Sequence, residues 1–292
     1  MLNRSSAVRR RRALALLALL VAPAWLHADT ASLPILVSIA PQQFLVEQVA
    51  GDRARIDVLV APGHGPATYE PTPQQMRRVR EARAWFRIGV AFEAVWHDRL
   101  VAAGPSMRVV DMAAGIARRQ ADRVEGARAG GLPDPHVWTS PRLARRMAGT
   151  VRDALVELDP AHAAHYRANH DRLATELDAL DARLREMLAP VRGRSFLVFH
   201  PSWGYFADEY GLTQLPIESA GKDPGPRTLT RVIAEAKRRG IRVVFVQEQF
   251  SRAMAEQVAR EIDGKVVAVD PLSADYVANL LAVGGALAAS AR

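Results

Sequence analysis

The sequence predicts an α/β protein of two lobes, each with a mostly parallel sheet flanked by helices, joined by one long helix. Short apolar runs of strand length alternate with helical patterns in both halves of the chain, which is typical of a parallel sheet covered on both faces. A long helical pattern separates the two sets of runs. The length of 292 residues agrees with roughly two domains.

Four apolar runs in the first half of the chain are predicted strands. They cover residues 33–40, 54–60, 84–89 and 107–112. Helical patterns lie between them, and a further helix is predicted over 141–158. The stretch 118–131 is polar and ends in Gly-Gly, so we expect a loop there.

The longest helical pattern occupies residues 159–190. Its apolar residues recur at spacings of three and four, which marks one helix face; they are Leu173, Leu177, Leu180, Leu184 and Leu188. Asp159 ahead of Pro160 is typical of an N-cap followed by proline at the first helical position. About 28 residues at about 1.5 Å each give roughly 40 Å, which is long enough to connect two lobes.

The second half of the chain shows the same alternation. Its predicted strands cover residues 195–200, 212–218, 241–246 and 265–270, with helices between and after them. The chain is thereby divided into four parts. We expect a signal peptide over 1–28, an N-terminal α/β lobe over 29–158, a linking helix over 159–190 and a C-terminal α/β lobe over 191–292.

The first 28 residues have the layout of a secretory signal peptide. Five arginines precede an apolar run over 13–26, and the small residue Ala28 follows. The run is interrupted by Pro23 and is too short for a comfortable membrane span, so we expect an exported, soluble protein of the periplasm. Removal of this segment lowers the net charge of the chain from +8 to +3.

The chain contains no cysteine. Disulfides, a lipid-carrying cysteine and thiolate metal ligands are therefore excluded. A membrane-anchored form is not expected, and a metal site would use His, Asp, Glu or water. The basic residues are not interleaved with aromatic ones, which make up only 6% of the chain, so we expect no nucleic-acid partner.

Three metal-ligating side chains stand where a ligand site is expected. Open parallel sheets bind ligands beyond the carboxyl ends of their strands, and these positions hold His136, His200 and Asp270. Imidazole and carboxylate groups suit Zn²⁺ or Mn²⁺. Each residue taken alone also fits an ordinary role, as a helix cap, a strand-end histidine or a turn aspartate.

Six segments occur in a characteristic order along the chain: GHGPATYEPTPQQM, RIGVAFEAVW, DPHVWTSP, FHPSWGYFADEYGL, VFVQEQFS and AVDPL. In this order they resemble the zinc- and manganese-specific solute-binding proteins of bacterial ABC importers. The resemblance covers nearly all of the chain after the signal peptide. It implies two lobes joined by a rigid helix, with a divalent metal held between the lobes by one ligand from each of four segments.

By this resemblance, three of the four family ligands are matched, by His136, His200 and Asp270. The first ligand is not matched, because Ala67 occupies the position where the family usually has histidine. His64 lies three residues earlier in the same loop and is one candidate substitute. A water molecule and Glu70 are the other candidates.

We therefore expect a monomeric binding protein, not an enzyme, that captures zinc and delivers it to an ABC permease at the inner membrane. Manganese is the second candidate for the transported metal. Two other functions stay open. One is a degenerate site that binds a metal chelate or another ligand. The other is a metal-dependent hydrolase with an open zinc position, in which Glu70 or Glu248 would act as general base.

Overall fold

Two parallel sheets of four strands each form the centre of the molecule. The computed structural model describes residues 32–122, 133–218 and 224–290. The expected signal peptide over 1–28 and most of the expected loop over 118–131 lie outside the described residues. The strand order is the same in both sheets, with the second strand at one edge, the first and third in the middle and the fourth at the other edge.

The first sheet has the order β2-β1-β3-β4 and the second the order β6-β5-β7-β8. Its strands are β1 (Leu33–Val37), β2 (Ala54–Val58), β3 (Ala84–Arg87) and β4 (Arg108–Asp111). Those of the second are β5 (Ser195–Val198), β6 (Thr213–Pro216), β7 (Val243–Val246) and β8 (Lys265–Ala268). Every neighbouring pair is parallel, so the carboxyl ends of all strands in a sheet lie at one edge.

Nine helices flank the sheets within the described residues. They are α1 (Ala40–Ala50), α2 (Pro73–Glu81), α3 (Ala91–Ala103), α4 (Pro141–Leu158), α5 (Ala163–Leu188), α6 (Gly204–Tyr210), α7 (Pro226–Arg238), α8 (Arg252–Glu261) and α9 (Tyr276–Ser290). In the same ranges of the chain, none of these helices combines the length and apolarity needed to cross a membrane.

All eight predicted strands are present, but most end one to three residues earlier than predicted. The segment after β2 shows why. Leu59 and Val60 lie beyond the strand, yet both side chains are buried. Their backbone N–H groups still donate to the carbonyls of Val37 and Ser38, both at 2.9 Å. Apolar character alone does not distinguish such a buried extension from the strand itself.

The linking helix is α5, with one 3₁₀ turn at each end, Pro160–His162 and Ala189–Val191. The five leucines predicted to share a face are all buried. Asp159 is the N-cap residue of the first 3₁₀ turn and Pro160 follows it, as predicted, but the Asp159 side chain makes no capping hydrogen bond. Its carboxylate instead accepts from the Tyr166 hydroxyl at 2.6 Å and contacts His162 Nδ1 at 2.7 Å. These side-chain bonds connect Asp159 to the first turns of the helix in place of a capping bond to a backbone N–H.

One apolar core runs through both halves of the molecule. It includes residues of the first sheet, of α4 and α5, and of the C-terminal α9. Gly284 allows α9 to pack closely on α5, since a Cβ atom there would lie 2.7 Å from Leu184 Cδ2. Because residues of both sheets share this core, burial of its apolar side chains stabilises the packing of the two halves against each other.

Candidate metal-binding site

His136 lies at the end of the loop that leads into α4. Asp134 accepts a hydrogen bond from the His136 backbone N–H at 3.0 Å, a local turn that Asp commonly forms. The same carboxylate oxygen lies 2.6 Å from His136 Nδ1. Arg119 contacts the other oxygen at 3.2 Å. With Nδ1–H donating to Asp134, His136 Nε2 keeps its lone pair for a metal ion.

Burial controls the charge of this pair. It lowers the pKa of His136 below the ordinary value, against the opposing effect of Asp134. Burial alone would raise the pKa of Asp134, but the bonds from His136 and the charge of Arg119 lower it overall. The site therefore presents a neutral imidazole backed by a carboxylate anion, which is the state that metal binding requires.

His200 lies two residues after the end of β5 and has a similar partner. Its Nδ1 lies 2.5 Å from Oε1 of Glu218, a fully buried residue that follows the adjacent strand β6. The Gln247 side-chain amide donates to the His200 carbonyl at 2.8 Å. The Phe250 ring stacks on the imidazole, with centroids 5.0 Å apart. These contacts leave His200 Nε2 as the ring nitrogen available to a metal.

The rings of His136 and His200 lie next to each other in an edge-to-face arrangement. Their centroids are 5.2 Å apart and their planes are inclined by 73°. Two imidazoles that bind one tetrahedral zinc ion at about 2.1 Å would hold their centroids roughly 5 Å apart. The observed spacing of the ring centres is therefore the spacing expected for one shared ion.

Asp270 and His64 line a neighbouring cavity of about 310 Å³ together with Glu248. Burial, reinforced by the charge of Glu248, raises the pKa of Asp270, and the Leu272 N–H bond to its carboxylate opposes the shift. His64 Nδ1 lies 3.2 Å from the Pro62 carbonyl, so the Nε2 atom of His64 is again the free ring nitrogen.

The structure thus brings the predicted residues together as two pairs. His136 meets His200, and His64 shares a cavity with Asp270. Over residues 32–122, 133–218 and 224–290, no three His, Asp or Glu side chains are grouped closely enough to hold one ion. Coordination by all the predicted ligands therefore requires the two pairs to approach each other.

Two buried hydrogen bonds tie the His136 loop to the Asp270 loop. The indole N–H of Trp138 donates to the Pro271 carbonyl at 2.7 Å. The Tyr276 hydroxyl donates to the Trp138 carbonyl, also at 2.7 Å. Because Trp138 follows one predicted ligand and Pro271 the other, these bonds fix the two loops relative to each other.

Sequence reasoning missed the residues that support the histidines. Asp134 carried a usable signal, since an aspartate two residues before a histidine can form a local turn and also reach its ring. Glu218 carried none beyond an acid at a strand end, and its contact with His200 depends on the pairing of β5 with β6. Nothing in the sequence indicated the partnership of Trp138 with Pro271.

Known proteins have a similar fold and a related sequence. The family model of the periplasmic zinc-uptake complex component A, ZnuA, matches residues 35–288. The high-affinity zinc uptake system protein ZnuA of Bacillus subtilis is 26% identical over 254 residues, which cover 82% of this chain and 78% of that protein. The iron-binding protein YfeA of Yersinia pestis is 30% identical over 241 residues, which cover 80% and 76%. A crystal structure of ZnuA is 40% identical, with a TM-score of 0.84 over 89% of this chain and 100% of that chain.

Proposed function

Because the chain belongs to the ZnuA family of periplasmic zinc-uptake components, we propose that it captures a divalent metal ion in the periplasm and delivers it to an ABC permease. Zinc is the first candidate for this cargo and manganese the second. The observation that carries the proposal is the pairing of His136 and His200, whose ring centroids are 5.2 Å apart. Each Nδ1 is held by a buried carboxylate, so both Nε2 atoms are free for one ion.

We propose that Asp270 is the third ligand and His64 the fourth. The two residues share one cavity, and His64 has its Nε2 atom free because Nδ1 contacts a backbone carbonyl. His64 would replace the histidine that Ala67 cannot supply. A shift of the loop over 61–66 toward the His136–His200 pair would bring the His64 imidazole to the ion, whereas a water molecule would complete the coordination if the loop stayed in place.

The charges around the site favour a cation. Asp134 and Glu218 stand behind the two histidines, and Glu248 lies near Asp270. Burial weakens the screening of these carboxylates, so they attract a divalent ion more strongly than they would in water. Two or three imidazoles with one carboxylate suit zinc, whereas manganese prefers a set richer in oxygen.

The remaining parts of the proposal concern the form in which the protein works. We propose that residues 1–28 direct export and that the monomer over 29–292 is the active form. The lobe boundaries are proposed at 158/159 and 190/191, on either side of the helix α5 with its terminal 3₁₀ turns. The role is to bind and deliver the ion, and no catalytic step is assigned.

Titration calorimetry tests this function. The metal-stripped protein over 29–292 is titrated with Zn²⁺, Mn²⁺ and Fe²⁺ in separate experiments. We expect one ion per chain, with zinc bound most tightly, and loss of binding in His200→Ala. His162→Ala is the matched control, because His162 also contacts a carboxylate but lies at the start of the linking helix. Absence of binding to all three metals would contradict the proposal.

A further inference from the structure

A second cavity, of about 560 Å³, opens at the edge of the second sheet where β5 and β7 begin. It is therefore remote in the fold from the metal ligands, which follow the carboxyl ends of strands. Four arginines line it, and no Asp or Glu is among the lining residues; the arginines are Arg192, Arg194, Arg239 and Arg242. All four are exposed to solvent.

Within the described part of the chain, most of these arginines have no acidic partner. Within residues 32–122, 133–218 and 224–290, no carboxylate forms an ion pair with Arg192, Arg194 or Arg242. Arg239 pairs with Glu235. Four guanidinium groups around one cavity repel each other, and a bound anion would relieve that repulsion.

Two of the arginines are held in place by their neighbours. Arg239 Nη1 donates to the Ser195 hydroxyl at 2.9 Å. The Arg192 side chain lies across Gly211, where an added Cβ would come within 2.9 Å of Arg192 Nε. Gly211 has φ of 69°, a left-handed conformation that glycine adopts without strain. The cavity wall is therefore partly organised before any ligand arrives.

Apolar residues of the core also line the cavity. Val191, Phe196 and Leu287 are among the lining residues, and each is almost fully buried because it also packs in the core. The lining therefore combines buried apolar residues with exposed guanidinium groups. The volume lies in the range of about 300–1,000 Å³ that is typical of small-molecule sites.

We propose that this cavity binds a small molecule that carries a pyrophosphate group or a comparable multiply charged phosphate. Guanidinium groups bind phosphate oxygens through two parallel N–H bonds, and two or more of the arginines that line the cavity can engage one pyrophosphate. This site is independent of metal capture, since it shares no residue with the predicted metal ligands.

Calorimetric titration of the metal-stripped protein with inorganic pyrophosphate tests the proposal. We expect saturable binding of one pyrophosphate per chain that weakens as salt rises. In the double variant Arg194→Gln/Arg242→Gln the affinity should fall at least about tenfold, because two charge-assisted contacts are lost. The double variant Arg77→Gln/Arg80→Gln removes the same charge from exposed positions on α2 and should bind pyrophosphate as the unmodified protein does.

Three results would overturn the proposal. The first is the absence of saturable binding, and the second is an equal loss in the Arg77/Arg80 control. The third is binding to phosphatidylglycerol vesicles in a flotation assay without binding of soluble pyrophosphate, which would indicate a lipid surface as the source of the phosphate. Retention of pyrophosphate binding in His200→Ala, with zinc binding lost, is expected and would separate this site from the metal site.

Discussion

The carboxylate behind His200 provides a quantitative test of the metal site. In Glu218→Gln the side chain keeps its length and its acceptor oxygen but loses its charge. His200 Nδ1 lies 2.5 Å from Glu218 Oε1. Glu218 is only 1% exposed, so water cannot reach its side chain and compensate for the lost charge. A charge-assisted hydrogen bond is worth about 1.5–3 kcal/mol and a neutral one about 1 kcal/mol. The difference corresponds to roughly a tenfold weaker affinity for zinc, within the range of about 10–100-fold that loss of such partners causes.

Competition with a fluorescent zinc chelator measures this change at constant pH and salt. Asp159→Asn is the matched control, because Asp159 contacts His162 Nδ1 at 2.7 Å but lies at the start of the linking helix. It should leave zinc affinity unchanged. The thermal midpoint of metal-free Glu218→Gln should not fall greatly, since an uncharged amide costs less to bury than a carboxylate. If Glu218→Gln weakens zinc binding no more than Asp159→Asn does, the charge of Glu218 does not strengthen zinc binding by His200.

Three further predictions concern the rest of the site. His64→Ala should weaken zinc binding at least about tenfold if His64 is the fourth donor; an unchanged affinity in the same competition assay would place that donor elsewhere. Tyr276→Phe removes the buried bond to the Trp138 carbonyl and should lower the free energy of unfolding by about 1–3 kcal/mol. Urea denaturation checks this value, and a change below about 0.5 kcal/mol would contradict it. Zinc affinity should fall as the solution is made acidic, because protons compete with the ion for imidazole. Burial lowers the pKa of His136 below the ordinary value of about 6.5, so the loss of affinity due to His136 should come below that pH. Calorimetry that shows constant affinity from about pH 8 to 5 would contradict imidazole ligation.

The sequence predicted the fold well because strands of a doubly covered parallel sheet are apolar along their whole length. The ends of the strands were less predictable, as Leu59 and Val60 show. Both remain buried and hydrogen-bonded beyond β2, so their apolar character continues after the strand has ended. Asp159 shows a related difficulty, since a residue type suited to capping found stronger partners in Tyr166 and His162.

The candidate site was predictable only where its residues follow strands or belong to recognisable segments. His136 and His200 met that condition, and the structure brings their rings together. Their supporting contacts depend on tertiary structure. Glu218 reaches His200 because β6 pairs with β5, and Trp138 reaches Pro271 across 133 positions of sequence. Such contacts leave no periodic pattern in the sequence.

The arrangement of the two ligand pairs has a consequence for metal capture. One pair, His136 and His200, already has the spacing expected for a shared zinc ion. The other pair lines an adjacent cavity. We therefore expect the ion to bind the two imidazoles first. The Asp270 side chain would then turn toward the ion from its fixed loop, and the loop that carries His64 would close on it.

A crystal structure of the zinc-loaded protein, with the ion located by its anomalous signal, tests the central claim most directly. We expect one zinc ion between His136 Nε2 and His200 Nε2, at about 2.0–2.1 Å from each, with Asp270 as a third ligand. Zinc bound at another place, or bound through Nδ1 of either histidine, would contradict it.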